Sequence, residues 1–197
     1  MYAIVSNNNI VKYPVNPWFD NPYTNVPHSF TGGNIANNYY VSVNTTPQPN
    51  VNWIYTISEG NPILVNNTWA QNWNINLLPQ DELITSLAKK RYNIEVGGTN
   101  VANVIYATDR ESQTKMTAMA VALSRVANLA SFNIQWKVAN GSFINLNAKT
   151  LSDVITGVET HVQKAFIVEY NYQKIINSGN TSLIKYTDFN SNWPSNT

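Results

Sequence analysis

The chain has 197 residues, long enough for one large domain or two small ones with a real core. Its net charge is +1, from 12 basic and 11 acidic residues without a basic run, which argues against a nucleic-acid surface. It has no cysteine, which excludes disulfides, thiolate zinc sites and cysteine nucleophiles.

Hydrophobic residues make up 43% of the chain, so it is read as globular. Charged residues make up 12%, about half the usual share. The 32 asparagines take up the difference. Asparagine suits turns and hydrogen-bonds without charge, which fits a surface packed against many neighbours. An AT-rich genome produces the same bias. The segment Met1–Ser6 has no basic region and no long apolar stretch, so no signal peptide is expected there. No segment has the length of a membrane span.

The first elements are short strands. Tyr2–Val5 and Ile10–Tyr13 flank Ser6-Asn7-Asn8-Asn9, a hairpin by composition. Pro14, Pro17, Pro22 and Pro27 then space out Trp18, Phe19, Tyr23 and His28, and predict an extended arm without regular helix. Such an arm lies either on a neighbouring subunit or back on its own sheet. Tyr39–Val43, Trp53–Ile57, Ile63–Val65 and Thr68–Ile75 alternate as strands do, with turns between them. Residues 1–79 therefore read as a small antiparallel β module. Trp18, Trp53, Trp69 and Trp73 are read as its core. The other reading is a sugar platform of aromatic faces and asparagine amides.

A helix is predicted from Asp81 to about Asn93, with Leu83, Ile84, Leu87 and Ala88 on its apolar side. Lys89, Lys90 and Arg91 fall in its last turns, complementing the dipole, and Gly97-Gly98 stops it. A short strand, Val104–Tyr106, leads to Thr108. Thr108 followed by Glu111 fits a capping box opening a second helix through Met116, Met119, Leu123 and Val126. Two apolar runs around Asn140-Gly141 predict a hairpin with a two-residue turn, in which Trp136 and Phe143 pair between the helices. The third helix runs from about Asn147 to Ile176. Leu151, Ile155, Val158, Val162, Ala165, Glu169, Tyr172 and Ile176 form a heptad seam with one polar position, Glu169. A second set, Val154, Phe166, Tyr170 and Ile175, widens the stripe and suits a helix buried on two sides. The second cover is either the Asp81 helix or the same helix in neighbouring subunits. Residues 178–197 read as an extended aromatic tail carrying Tyr186, Phe189 and Trp193, docked on this chain or a neighbour.

The fold class is thus α+β: a small N-terminal antiparallel β module (1–79), three helices with an inserted β-hairpin (80–177), and an aromatic tail (178–197). The candidate interface residues are Trp18, Phe19, Tyr23, Ile155, Val162, Tyr172, Ile176, Tyr186, Phe189 and Trp193.

The residues Lys89–Tyr92, Gly97-Gly98, Thr108–Gln113, Trp136-Lys137, Asn140–Phe143, Leu151, His161-Val162, Phe166 and Glu169 carry a resemblance. Together they resemble a domain of unknown function that ends many bacteriophage tail, baseplate and tail-fibre proteins. The opening hairpin and proline-spaced loop also look like the start of many phage tail proteins. The resemblance implies a structural tail component, made in the host cytoplasm and carried in the virion. It implies contacts with other tail, baseplate or fibre proteins and a homo-oligomer. A receptor-binding module for host glycans and a fibre-assembly chaperone are the alternatives.

No catalytic, cofactor or metal residues are expected. His28 and His161 are far apart, and one imidazole makes no metal site. The acids Asp81, Glu82, Asp109 and Glu111 sit at helix starts, where negative charge is favourable on its own. None of His28, His161, Asp109 or Glu111 is expected to be catalytic.

Overall fold

The structure, a computed structural model, describes residues 1–196; Thr197, the last residue of the expected tail, lies outside the described residues. The chain divides into two compact units at Leu78/Pro79. The fold class is α+β.

The first unit is one six-stranded sheet: β1 (Tyr2–Ser6), β2 (Asn9–Val15), β3 (Gly32–Ile35), β4 (Asn38–Asn44), β5 (Tyr55–Val65) and β6 (Thr68–Leu77). The strand order is β2-β1-β4-β6-β5, with β3 also paired to β4. Asparagine pairs make two of its tight hairpin turns. Asn7 and Asn8 have φ of 50° and 60°, and Asn66 and Asn67 have φ of 48° and 60°, the left-handed region that a two-residue hairpin needs. The sheet departs from the antiparallel expectation at one place. β4 and β6 run parallel through Val43↔Trp69 and Asn44↔Ala70. The hydroxyl of Tyr13 on edge strand β2 donates to the carboxylate of Glu59 on edge strand β5, so the sheet nearly closes into a barrel.

The proline-spaced arm folds back on its own sheet. It also contains one helical turn where none was expected, α1 (Pro17–Asp20). Pro17 takes the first helical position, where a missing N–H costs nothing, and the Asn16 side chain accepts from the backbone N–H of Trp18 and Phe19. Trp18 packs edge-on against Tyr2 and Phe30, at 5.6 and 6.4 Å between centroids, and its indole N–H donates to the Val26 carbonyl at 3.2 Å. Ile4, Ile35 and Tyr40 form the buried centre. Of the four tryptophans expected in the core, Trp18, Trp53, Trp69 and Trp73, each is half-buried.

The second unit is built on one long helix. Its elements are α2 (Gln80–Glu95), β7 (Thr99–Val101), β8 (Val104–Tyr106), α3 (Arg110–Ser124), β9 (Asn133–Lys137), β10 (Phe143–Asn147), α4 (Ala148–Asn177) and α5 (Thr181–Tyr186). Asn147 caps α4 by accepting from Thr150 N–H at 2.9 Å. One face of α4 buries Leu151, Val154, Ile155 and Val158 with Tyr106, Met116, Val138 and Leu146. α2 and α3 both pack on α4, but they cover the second set only in part: Val154 is buried and Ile175 half-buried, whereas Phe166 and Tyr170 stay exposed. β7 crosses α4 at Gly157, where a Cβ would stand 2.4 Å from Val101 Cγ2.

Four local expectations are corrected here. α2 runs on to Glu95, so Lys89–Arg91 lie short of its last turn. The cap of α3 is Asp109, which accepts from Ser112 N–H at 3.0 Å. The β9–β10 connection is a three-residue loop, Ala139–Gly141, closed by Gly141 N–H to Val138 carbonyl at 2.9 Å with only Gly141 left-handed, at φ +87°. Across this hairpin Trp136 faces Ile144 and packs half-buried on the core, whereas Phe143 points outward and is 64% exposed.

Candidate functional site

Four of the residues that carry the resemblance, Arg91, Arg110, Gln113 and Glu169, gather around a carboxylate that the sequence did not single out. Glu95 ends α2 and is completely buried. It receives Arg91 from one turn earlier on the same helix. From the start of α3, Arg110 Nη1 reaches Glu95 Oε1 at 2.9 Å and Gln113 Nε2 donates to the same oxygen at 3.3 Å. Arg91 Nε also donates to Glu169 Oε2 on α4 at 3.1 Å. Two arginines and two glutamates thus form a cluster of balanced charge joining three helices, enclosed at Glu95 and open to solvent at Arg110. The Arg91 guanidinium lies 4.4 Å from the Phe166 ring centroid, and that of Arg110 lies 5.9 Å from Tyr92.

Three further motif residues, Gly98, Thr108 and His161, hold the backbone around the cluster. Gly98, at φ +93°, turns the chain after α2 and approaches the Tyr106 carbonyl too closely for a Cβ to fit without displacement. Its N–H donates to Thr108 Oγ1 at 2.8 Å. That use of the hydroxyl explains why Thr108, fully buried, does not cap α3. Gln113 Nε2 donates to the Thr108 carbonyl at 2.6 Å. His161 is buried on α4 with Nε2 2.9 Å from the Ile94 carbonyl.

The spacing Arg91 to Glu95 followed by Gly-Gly is the one signal that could have marked Glu95. On a helix, that spacing reads as an ordinary surface pair. Only the turn back at Gly98 buries it.

The expected interface residues separate into two groups. Ile155, Tyr172, Ile176 and Phe189 are buried within the second unit. Val162 and Trp193 are half-buried there, and Trp18 is half-buried in the first unit. Phe19, Tyr23 and Tyr186 are exposed, at 83%, 101% and 90%. The tail is not simply extended: Asn180 caps the short helix α5, and the chain beyond it docks on Tyr172. The Tyr172 hydroxyl lies 2.9 Å from the Asp188 carbonyl and 2.7 Å from that of Ser191, and its ring packs at a tilt of 52° against Phe189, 4.9 Å between centroids. Trp193 N–H donates to the Phe189 carbonyl, and Lys90 donates to Asn190, both at 2.9 Å. Burial lowers the Lys90 pKa, and the charge of Asp188 opposes that shift.

The acids at helix starts act on the backbone. Asp109 is held below the usual carboxylate range, first by the Ser112 backbone N–H and then by the Ser112 hydroxyl at 2.7 Å. Glu111 is exposed and pairs with Lys115. His28 is exposed in the first unit. Among the described residues, no three His, Cys, Asp or Glu are placed to hold a metal ion, and no helix is long and apolar enough to cross a membrane. An open groove of about 860 Å³ separates α3 from the start of α4, lined by Ala120, Leu123 and Ile155. Its two charged residues, Lys149 and Asp153, pair with each other at 2.6 Å.

A family model described as Domain of unknown function (DUF4376) matches residues 79–190. The chain belongs to this family. The DUF4376 match starts at the boundary between the two units and runs through α5 to Asn190, past the expected limit at residue 177. It therefore takes in Phe189, whose burial against Tyr172 makes the tail part of the DUF4376 unit. The six-stranded sheet lies outside it. No curated protein and no solved structure is similar enough to the chain to count as a match.

Proposed function

We propose that this protein is a structural component of a bacteriophage tail, in the baseplate or fibre region, joining other tail proteins and copies of itself. The resemblance of the DUF4376 unit to domains of phage tail proteins motivates the location. The observation that carries the structural role is the fate of its motif residues. Arg91, Arg110, Gln113 and Glu169 are spent on Glu95 and on each other, tying three helices together. On this reading the protein is no enzyme, needs no cofactor, is made in the host cytoplasm and ends in the virion.

The surface left for neighbours lies on the outer side of α4. Phe166, Ile167 and Tyr170 are 44%, 57% and 62% exposed on adjacent turns of the C-terminal half of that helix. Exposed apolar groups clustered in this way mark protein contacts. Mass spectrometry of purified particles is expected to find the chain in the virion. Its absence from the particle overturns the reading in favour of an assembly factor. Light scattering of the isolated chain is expected to show an oligomer that Tyr170→Asp weakens. A monomer at all concentrations removes self-association and leaves contacts with other tail proteins.

A further inference from the structure

Two neutral grooves on the first unit share the lining residue Tyr39. One, of about 610 Å³, is lined by Asn7 and Asn8 from the β1–β2 turn and by Asn34, Asn37, Asn38 and Tyr39 from the β3–β4 hairpin. The other, of about 310 Å³, includes Thr31, Asn67, Thr68 and Trp69. Tyr39 borders both and is 49% exposed. Its neighbour Tyr40 is buried, so strand alternation turns the Tyr39 ring outward. Both volumes fall within the ~300–1,000 Å³ usual for ligand sites.

We propose that the two grooves flanking Tyr39 bind a neutral oligosaccharide. No acidic, basic or histidine side chain lines either groove, so neither offers a counter-charge to phosphate, sulfate or carboxylate. The six asparagine side chains of the two grooves have no hydrogen-bond partner among the described residues. Each amide presents an acceptor and two donor hydrogens, the complement of sugar hydroxyls, which both donate and accept. An exposed phenol ring between them supplies the apolar face on which a sugar's C–H surface packs.

Turn chemistry accounts for Asn7 and Asn8, which sit at positive φ. Asn34 stands in strand β3 opposite Tyr39 and so on the same face, where its amide is open to the same ligand.

Particle composition tests the tail assignment, and sugar binding by the first unit is tested separately. The full chain is applied to an array of neutral oligosaccharides printed beside their sulfated and sialylated counterparts. The expected result is retention on neutral glycans, weakened at least roughly tenfold by Tyr39→Ala and by Asn34→Ala. Tyr39→Phe, which keeps the ring, is expected to retain binding. So is Tyr23→Ala, which removes a fully exposed ring of the same unit that lines neither groove. Thermal melts check that each variant folds, with Asn37→Ala, in an exposed turn, replacing any that does not. Failure to retain any neutral glycan, a preference for the acidic ones, or binding that survives Tyr39→Ala overturns the proposal.

Discussion

Glu95 shows how much one residue depends on its setting. A carboxylate with no exposure is tolerable only when its charge is met, and Arg91, Arg110 and Gln113 meet it. Glu95→Ala leaves Arg91 with Glu169 alone and leaves Gln113 Nε2 only the Thr108 carbonyl. We expect a loss of about 1.5–3 kcal/mol, the scale of hydrogen bonds to a charged group, because Arg91 keeps Glu169 and Arg110 is largely exposed, read as a lower urea midpoint. A midpoint equal to wild type would show that the cluster does not hold the three helices. Tyr13 gives a second test, by pH. Burial, then its hydrogen bond to Glu59 and the Glu59 charge, push its phenol up to about 12, against the usual value near 10. A raised value in the fold favours the neutral phenol. That stabilisation is therefore complete below about pH 10 and is lost as pH rises toward about 12. Stability followed across that window is expected to fall less in Tyr13→Phe than in wild type.

At the scale of elements, α4 is the organiser, and its contact with β7 is made possible by one missing side chain. Gly157→Ala has two opposing effects. Alanine improves helix propensity by about 1 kcal/mol, but its methyl would stand 2.4 Å from Val101 Cγ2. Overpacking costs of about 1–3 kcal/mol make net destabilisation the expected outcome. With Val101→Ala already in place the clash is gone, and the same change is expected to stabilise. Thermal melts of the two single variants and the double variant decide this, and a cycle without a change of sign would mean that β7 simply moves aside. Helix spacing in the sequence was enough to place α2, α3 and α4. Their ends were less legible. Thr108 matched a capping signature, yet its hydroxyl serves Gly98, a partner ten positions away on another turn. Asn140-Gly141 signalled a turn correctly but not its length, because either of two loop geometries accepts a left-handed glycine at that point.

At the scale of the molecule, each unit has a core of its own. A fragment from Pro79 to the C-terminus is therefore expected to unfold cooperatively by itself. Ending that fragment at Asn177 removes Phe189 and Trp193 and uncovers Tyr172, so its melting temperature should drop by several degrees. Equal melting of the two fragments would mean that the docked tail adds nothing to the unit.

The division into a β-rich half and a helical half was legible in the sequence, as was the face of the long helix that carries Leu151, Val158 and Ile176. Period-two and heptad patterns are local, and a residue's place in them states which side of an element is apolar. They do not state what covers that side. Tertiary structure alone decided that α2 and α3 both pack on α4 while Phe166 and Tyr170 stay exposed, that Phe143 turns outward while Phe189 is buried, and that β4 and β6 run parallel. It alone brought Arg91, Arg110 and Glu169 to Glu95, and the asparagines of two separate hairpins to Tyr39. Each of these depends on contacts between residues far apart in the chain, where burial and charge are set by the partner and not by the neighbouring sequence.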